Sequence, residues 1–147
     1  MINYISRSFL IVTIFVLVSI HVSQAADLYH AEVNIRAKEG KDLIMTLDEV
    51  ERREKFSIIK VKYISGASVP SSMFVVKGCY EIARIRGMKY FINLREWTDE
   101  EGYWVYKIGF SETNRVDPKV FFGDDIDDSK DLEFLSVEDY DVFWGNK

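Results

Sequence analysis

Residues 70–87 carry the pattern that decides most about the fold, because they read as one helix and as nothing else. Pro70 and the pair Ser71-Ser72 are start signals: a serine hydroxyl accepts a hydrogen bond from an otherwise unpaired N–H of the first turn. Gly87 is a stop, since glycine takes the left-handed conformation that closes a helix. Between them Val75, Val76, Cys79, Ile82 and Ala83 fall on one side at about 3.6 residues per turn, with Lys77, Glu81 and Arg84 on the other. Lys77 and Glu81, one turn apart, are spaced for an exposed ion pair. The pattern predicts a main helix over about 71–86, and the small Gly78, Cys79 and Ala83 predict a close approach to a sheet.

The flanking segments read as strands. Phe56 to Ile64 is rich in β-branched and aromatic residues and ends at Ser65-Gly66. After Gly87, Met88, Tyr90, Ile92 and Leu94 alternate with Lys89, Phe91, Asn93 and Arg95, the period of a strand. The order strand, helix, strand predicts that the two run parallel if they join one sheet. A turn at Thr98 to Gly102 leads into Trp104, Tyr106, Ile108 and Phe110, alternating with Tyr103, Val105 and Lys107 and expected to pair antiparallel with the preceding strand. Upstream, Tyr29, Ala31, Val33 and Ile35 alternate with His30, Glu32 and Asn34, and Gly40 marks a turn over 38–42. Leu43 to Lys55 stays open: Leu43, Leu47 and Val50 suit a helix, while a hairpin at Gly40 favours a second strand. The expected fold class is α+β, a mixed, mostly antiparallel sheet with the main helix packed on one face and a short C-terminal helix.

The N-terminus has the order of an export signal. Arg7 is the only charged residue before Asp27, the run Phe9 to Ile20 is apolar but for Thr13 and Ser19, and Ser23 and Ala25 are small. Cleavage after Ala25 is expected, with cleavage after Ala26 or retention as an anchor as the alternatives; the run is shorter than the roughly 20 apolar residues of a membrane span. Residues 1–25 are thus assigned to a signal peptide, and 147 less 25 leaves 122 residues, one domain over 26–147 and too few for a separate cofactor domain. The product is expected in a periplasm or outside the cell. Cys79 is the only cysteine, so no intramolecular disulfide can form, and its apolar neighbours predict that it is buried as a small hydrophobe.

Residues 117–147 differ in composition. Ten acidic residues stand against Lys119, Lys130 and Lys147, a net charge of −7, so nearly all of the chain's acidity is local. The same segment holds too many apolar residues for a solvated tail, among them Phe121, Phe122, Leu132, Phe134, Val142, Phe143 and Trp144. It predicts a short strand near Phe121, an acidic loop, and a terminal helix opened by Ser136 with Asp139 and closed by Gly145. Asp124, Asp125, Asp127, Asp128 and Asp131 offer a hard cation the carboxylates it needs. Counted from Asp125, however, Lys130 stands where an EF-hand loop has glycine and Ser136 where it has its bidentate glutamate. A solvated loop is the simpler reading, and a calcium site the alternative.

Most catalytic chemistries lack their residues. His30 is the only histidine once His21 leaves with the signal, and it falls on the polar side of a strand. No glycine-rich phosphate loop occurs. Glu96, Asp99, Glu100 and Glu101 lie around a turn that explains them without catalysis. Lys55, Lys60, Lys62, Arg84, Arg86, Lys89 and Arg95 are expected to meet the acidic tail, and an acidic exported chain does not suit nucleic acid. No catalytic residue and no cofactor are assigned. Aromatic residues are in surplus: Phe91, Trp97, Tyr103 and Trp144 mark a candidate contact surface if the segment with Phe143 and Trp144 leaves one sheet face bare.

The succession of strand, small-residue helix and Gly87-Met88-Lys89-Tyr90-Phe91 resembles small α+β proteins and lipoproteins of the bacterial envelope that have no assigned reaction. The resemblance covers residues 56–94, about a third of the mature chain, and carries over no catalytic residue. The chain lacks the lipid-bearing cysteine of the lipoprotein members, which speaks against the tether that the resemblance implies. The combined reading is an exported, non-enzymatic binding or accessory protein of the envelope with a protein partner, and with no membrane span after cleavage. The alternatives are a calcium-dependent or carboxylate-based hydrolase using the acidic loop, and a secreted host-directed effector. Oligomeric state stays open.

Overall fold

The computed structural model describes residues 27–35, 42–65, 68–127 and 132–145. The assigned leader, most of the turn over 38–42, and Asp128 and Asp131 lie outside them. In chain order the elements are β1 (His30–Ile35), β2 (Leu43–Arg52), β3 (Phe56–Ser65), α1 (Ser68–Ile85), β4 (Tyr90–Thr98), β5 (Trp104–Ser111), α2 (Pro118–Phe122), a 3-10 turn (Gly123–Asp125), β6 (Leu135–Ser136) and α3 (Val137–Trp144).

The open segment after Leu43 is a strand. Leu43, Met45, Leu47 and Glu49 are buried on one side of β2, whereas Val50, which a helix would turn inward with Leu43 and Leu47, is exposed. The sheet has six strands in the order β1-β2-β3-β5-β4-β6 and curls into a half-barrel. Every pairing is antiparallel among the described residues, not mixed as expected from the sequence. The reason is that β5 returns between β3 and β4 and bonds to both, so those two strands do share a direction but are not neighbours.

Helix α1 begins at Ser68, before the serine pair, and ends where Gly87 takes φ +68°. There the Met88 N–H donates to Ala83 O (2.9 Å) and the Gly87 N–H to Arg84 O (2.9 Å), the two bonds that close a helix on a left-handed residue. Lys77 is exposed, and Glu81 lies 3.9 Å from Arg84 rather than in the expected pair with Lys77.

Apolar residues gather on both sides of the sheet. Leu47, Ile59, Val61, Phe91, Ile108 and Phe110 cluster with Cys79, Tyr80, Ile82 and Ala83 of α1, and Tyr140 and Trp144 of α3 pack against them. On the other side Ile92, Leu94 and Phe122 form a second cluster, flanked by Phe56, Phe121, Ile126, Leu132 and Phe134. The expected strand near Phe121 is therefore helix α2: Pro118 fits the first turn, where its missing N–H costs nothing, and Asp117 accepts from the Lys119 N–H at 2.8 Å. The cover of the outer face also differs from expectation. It comes from Phe121, Phe122, Ile126, Leu132 and Phe134, while Trp144 joins the α1 side and Phe143 is exposed.

One charged group is built into the inner side. The Glu49 carboxylate accepts from Arg52 Nε (2.8 Å), from Arg52 Nη2, from Ser57 Oγ (2.6 Å) and from the Tyr29 N–H (3.0 Å). Arg86, at the end of α1, donates to Ser57 Oγ (3.3 Å) and to the carbonyls of Arg53 and Glu54 (2.6 and 2.7 Å), with its guanidinium over the Phe110 ring.

Candidate functional site

Beside the inner cluster the packing is incomplete. Residues of β2, β3, β4, β5 and β6 and of α1 line a cleft of about 690 Å³. Met45, Val61, Cys79, Phe91 and Ile108 make a buried floor; Val75, Val76 and Leu135 form half-buried walls; Tyr63, Ser72, Glu96 and Trp104 are exposed at the mouth.

Period-two alternation places most of these side chains. On β3 it brings Val61 and Tyr63 to the cleft, and on β5 Trp104, Tyr106 and Ile108. Strand β4 breaks the rule. Asn93 pairs with Ile108 and Arg95 with the next residue, Lys107, so Leu94 is an extra residue in the ladder. Beyond it the phase is shifted: Glu96 stands opposite Tyr106 and faces the cleft, while Arg95 and Trp97 stand opposite Lys107 and Val105 and face outward. Leu94 itself joins Ile92 in the outer cluster.

The polar groups of the cleft are few. Asn93 Nδ2 donates to Glu96 Oε2 at 3.1 Å, which fixes the amide's orientation because a carboxylate only accepts. Asn93 Oδ1 is then buried with no hydrogen-bond partner among the described residues. Burial, reinforced by the nearby charge of Glu96, pushes the Tyr106 hydroxyl up to about 12, and burial pushes the Cys79 thiol up to about 12. Both groups stay protonated at neutral pH, so the thiol is a poor nucleophile. Ser71, Ser72 and Tyr63 add hydroxyls, and none of the lining residues is Lys, Arg or His.

The four aromatic residues singled out from the sequence do not form one surface. Phe91 is on the cleft floor at 2% exposure. Trp97 is on the outer face with the Arg95 guanidinium 5.9 Å from its ring centroid. Tyr103 is half-buried, with Lys60 Nζ 5.4 Å from its centroid. Trp144 stacks on Tyr140 at 5.0 Å and lies 5.3 Å from Tyr80. Sequence reasoning missed Met45, Val61, Val75, Val76, Glu96 and Tyr106 as a group. Strand and helix periodicity carried the apolar members; nothing in the alternation announced the extra residue that brings in Glu96.

The acidic run is only partly described. Asp124 is exposed, the Asp127 N–H donates to Leu94 O (2.9 Å), and among the described residues no three His, Cys, Asp or Glu side chains are grouped to hold a metal ion. Arg84 reaches Asp141 of α3 at 3.8 Å, one contact between the basic body and the acidic tail. His30 is exposed on β1, its Nδ1 2.5 Å from Asp48 Oδ1. No helix among the described residues is long and apolar enough to cross a membrane. Comparison with protein families, with curated proteins and with solved structures gave no match, so the cleft is interpreted on its own geometry.

Proposed function

We propose that the chain is an exported, non-enzymatic binding module of the bacterial envelope that takes up a small, predominantly apolar ligand between α1 and the sheet. The export part rests on the order of residues 1–25. The binding part is carried by one observation, an open cleft of about 690 Å³ with an apolar floor and walls. Small-molecule sites of roughly 300–1,000 Å³ share that character, with a few polar groups to orient the guest. The protonated thiol and phenol support binding over covalent chemistry, since neither is an activated nucleophile.

The test is fluorescence of N-phenyl-1-naphthylamine, an uncharged apolar probe, with the purified chain. Saturable enhancement is expected, and Val76→Trp, which fills the cleft from a half-buried position of α1, weakens it at least about tenfold, a loss of roughly 1.4 kcal/mol. No enhancement, or equal uptake by a folded Val76→Trp variant, overturns the reading.

A second reading, a protein partner seated over the mouth, is favoured by exposed apolar side chains near it: Tyr63, Ile64, Val69, Met73 and Trp104. Val69 and Met73 are not part of the lining. Under that reading Val69→Asp with Met73→Asp abolishes capture of an envelope protein and leaves probe uptake unchanged.

A further inference from the structure

We infer that the cleft, taken as the ligand site proposed above, recognises aromatic rings: a guest that carries them binds more tightly, for its hydrophobicity, than a saturated guest of the same carbon skeleton. The two walls differ in kind. The sheet supplies an aromatic side chain at each depth: Trp104 at the mouth, 54% exposed, Tyr106 half-buried behind it, and Phe91 on the floor at 2%. Trp104 and Tyr106 stand two residues apart on one face of β5, with ring centroids 6.5 Å apart and planes inclined by 31°. Helix α1 faces them with Ser71, Ser72, Val75, Val76 and Cys79, none larger than valine.

A flat ring entering between these walls lies against Trp104 and Tyr106 on one side and against valine methyls on the other. A saturated ring is puckered and thicker, and it meets the aromatic wall only through its hydrogens. Aromatic pairs in offset or edge-on arrangement attract each other beyond the area they cover, because the negative face of one π-system meets the positive edge of the other. Rings on the outer side of the sheet are occupied by cations: Lys107 lies over Phe56 and Arg95 over Trp97. Phe91, Tyr106 and Trp104 instead line a cavity to which no Lys or Arg contributes. Trp104 in particular holds apolar area in water that a bound ring would cover.

The experiment is displacement of N-phenyl-1-naphthylamine by biphenyl-4-ylmethanol and by its fully hydrogenated counterpart, (4-cyclohexylcyclohexyl)methanol, from the wild type, Trp104→Leu and Tyr106→Leu. The two alcohols share a skeleton and a hydroxyl, and neither absorbs where the probe is excited. Displacing strength is taken relative to each alcohol's octanol–water partition, which removes the difference in hydrophobicity. On that scale the aromatic alcohol is expected to be stronger by at least about threefold with the wild type. The advantage falls towards one in Trp104→Leu, a change at an exposed position that spares the core, and the saturated alcohol competes as before. A ratio of one in the wild type, or a ratio that both folded variants leave unchanged, overturns ring recognition and leaves cleft binding standing. If the wild type takes up the probe and neither alcohol displaces it, ring recognition falls too, whereas absence of probe uptake overturns the ligand site itself.

Discussion

Glu49 is a carboxylate at 3% exposure, and it is tolerable there only because four hydrogen bonds converge on it. Burial raises its pKa, but the bonds from Arg52, Ser57 and the Tyr29 N–H outweigh burial and hold it below the ordinary value of 4.5. A lowered carboxylate pKa stabilises the folded state above the unfolded value, and that stability is lost as pH falls through the folded one. Glu49→Gln is therefore expected to cost about 2–3 kcal/mol at pH 7 in urea unfolding. Below pH 4.5 the wild type should lose part of that advantage, and the two stability curves converge. Gly78 tests packing at the same scale. A Cβ there would overlap the Leu47 side chain, which is fully buried and has little room to yield, so Gly78→Val should destabilise by about 2 kcal/mol in the same assay.

At the scale of elements, α3 is held by side chains rather than by length. It has eight residues, too short to be stable alone, and docks through Tyr140 and Trp144 and through the hydrogen bond from the Tyr80 hydroxyl to Asp141 Oδ1 at 2.5 Å. Tyr80→Phe should cost about 1 kcal/mol and speed hydrogen exchange selectively over residues 137–144. Much at this scale was legible in the sequence. Ser136 and Gly145 bounded α3, Gly87 ended α1, and Gly102 turned β4 into β5. What failed did so for identifiable reasons. At Phe121 the aromatic pair outweighed Asp117-Pro118, a sound helix start that a strand reading ignored. At Leu43 two periodicities coincided until Val50, and the pairing of β2 with both β1 and β3 decides between them. The candidate aromatic surface dissolved because strict alternation put Phe91 and Trp97 on one side, and the extra Leu94 separates them.

For the whole molecule, the half-barrel has apolar residues on both sides, so the tail after β5 is part of the core rather than an appendage. The sheet order, with β5 between β3 and β4, could not be read from local pattern, since strand neighbours depend on contacts far apart in sequence. An occupied cleft should raise the stability of this entire unit. At a free ligand concentration one hundred times Kd the gain is about 2.7 kcal/mol, and differential scanning fluorimetry should report an increase of several degrees in Tm. That increase should disappear in Val76→Trp, whose cleft is filled.

The extra residue in β4 has a consequence for descent. Losing a single codon at position 94 would leave Arg95 opposite Lys107 and Glu96 opposite Tyr106, closing the ladder without the bulge, so the mouth of the cleft would keep its side chains while the outer cluster lost Leu94. Among relatives of this chain, a gap at that site should therefore leave the lining of the cleft in place and be matched by added apolar bulk among the residues that meet Phe122 on the outer face.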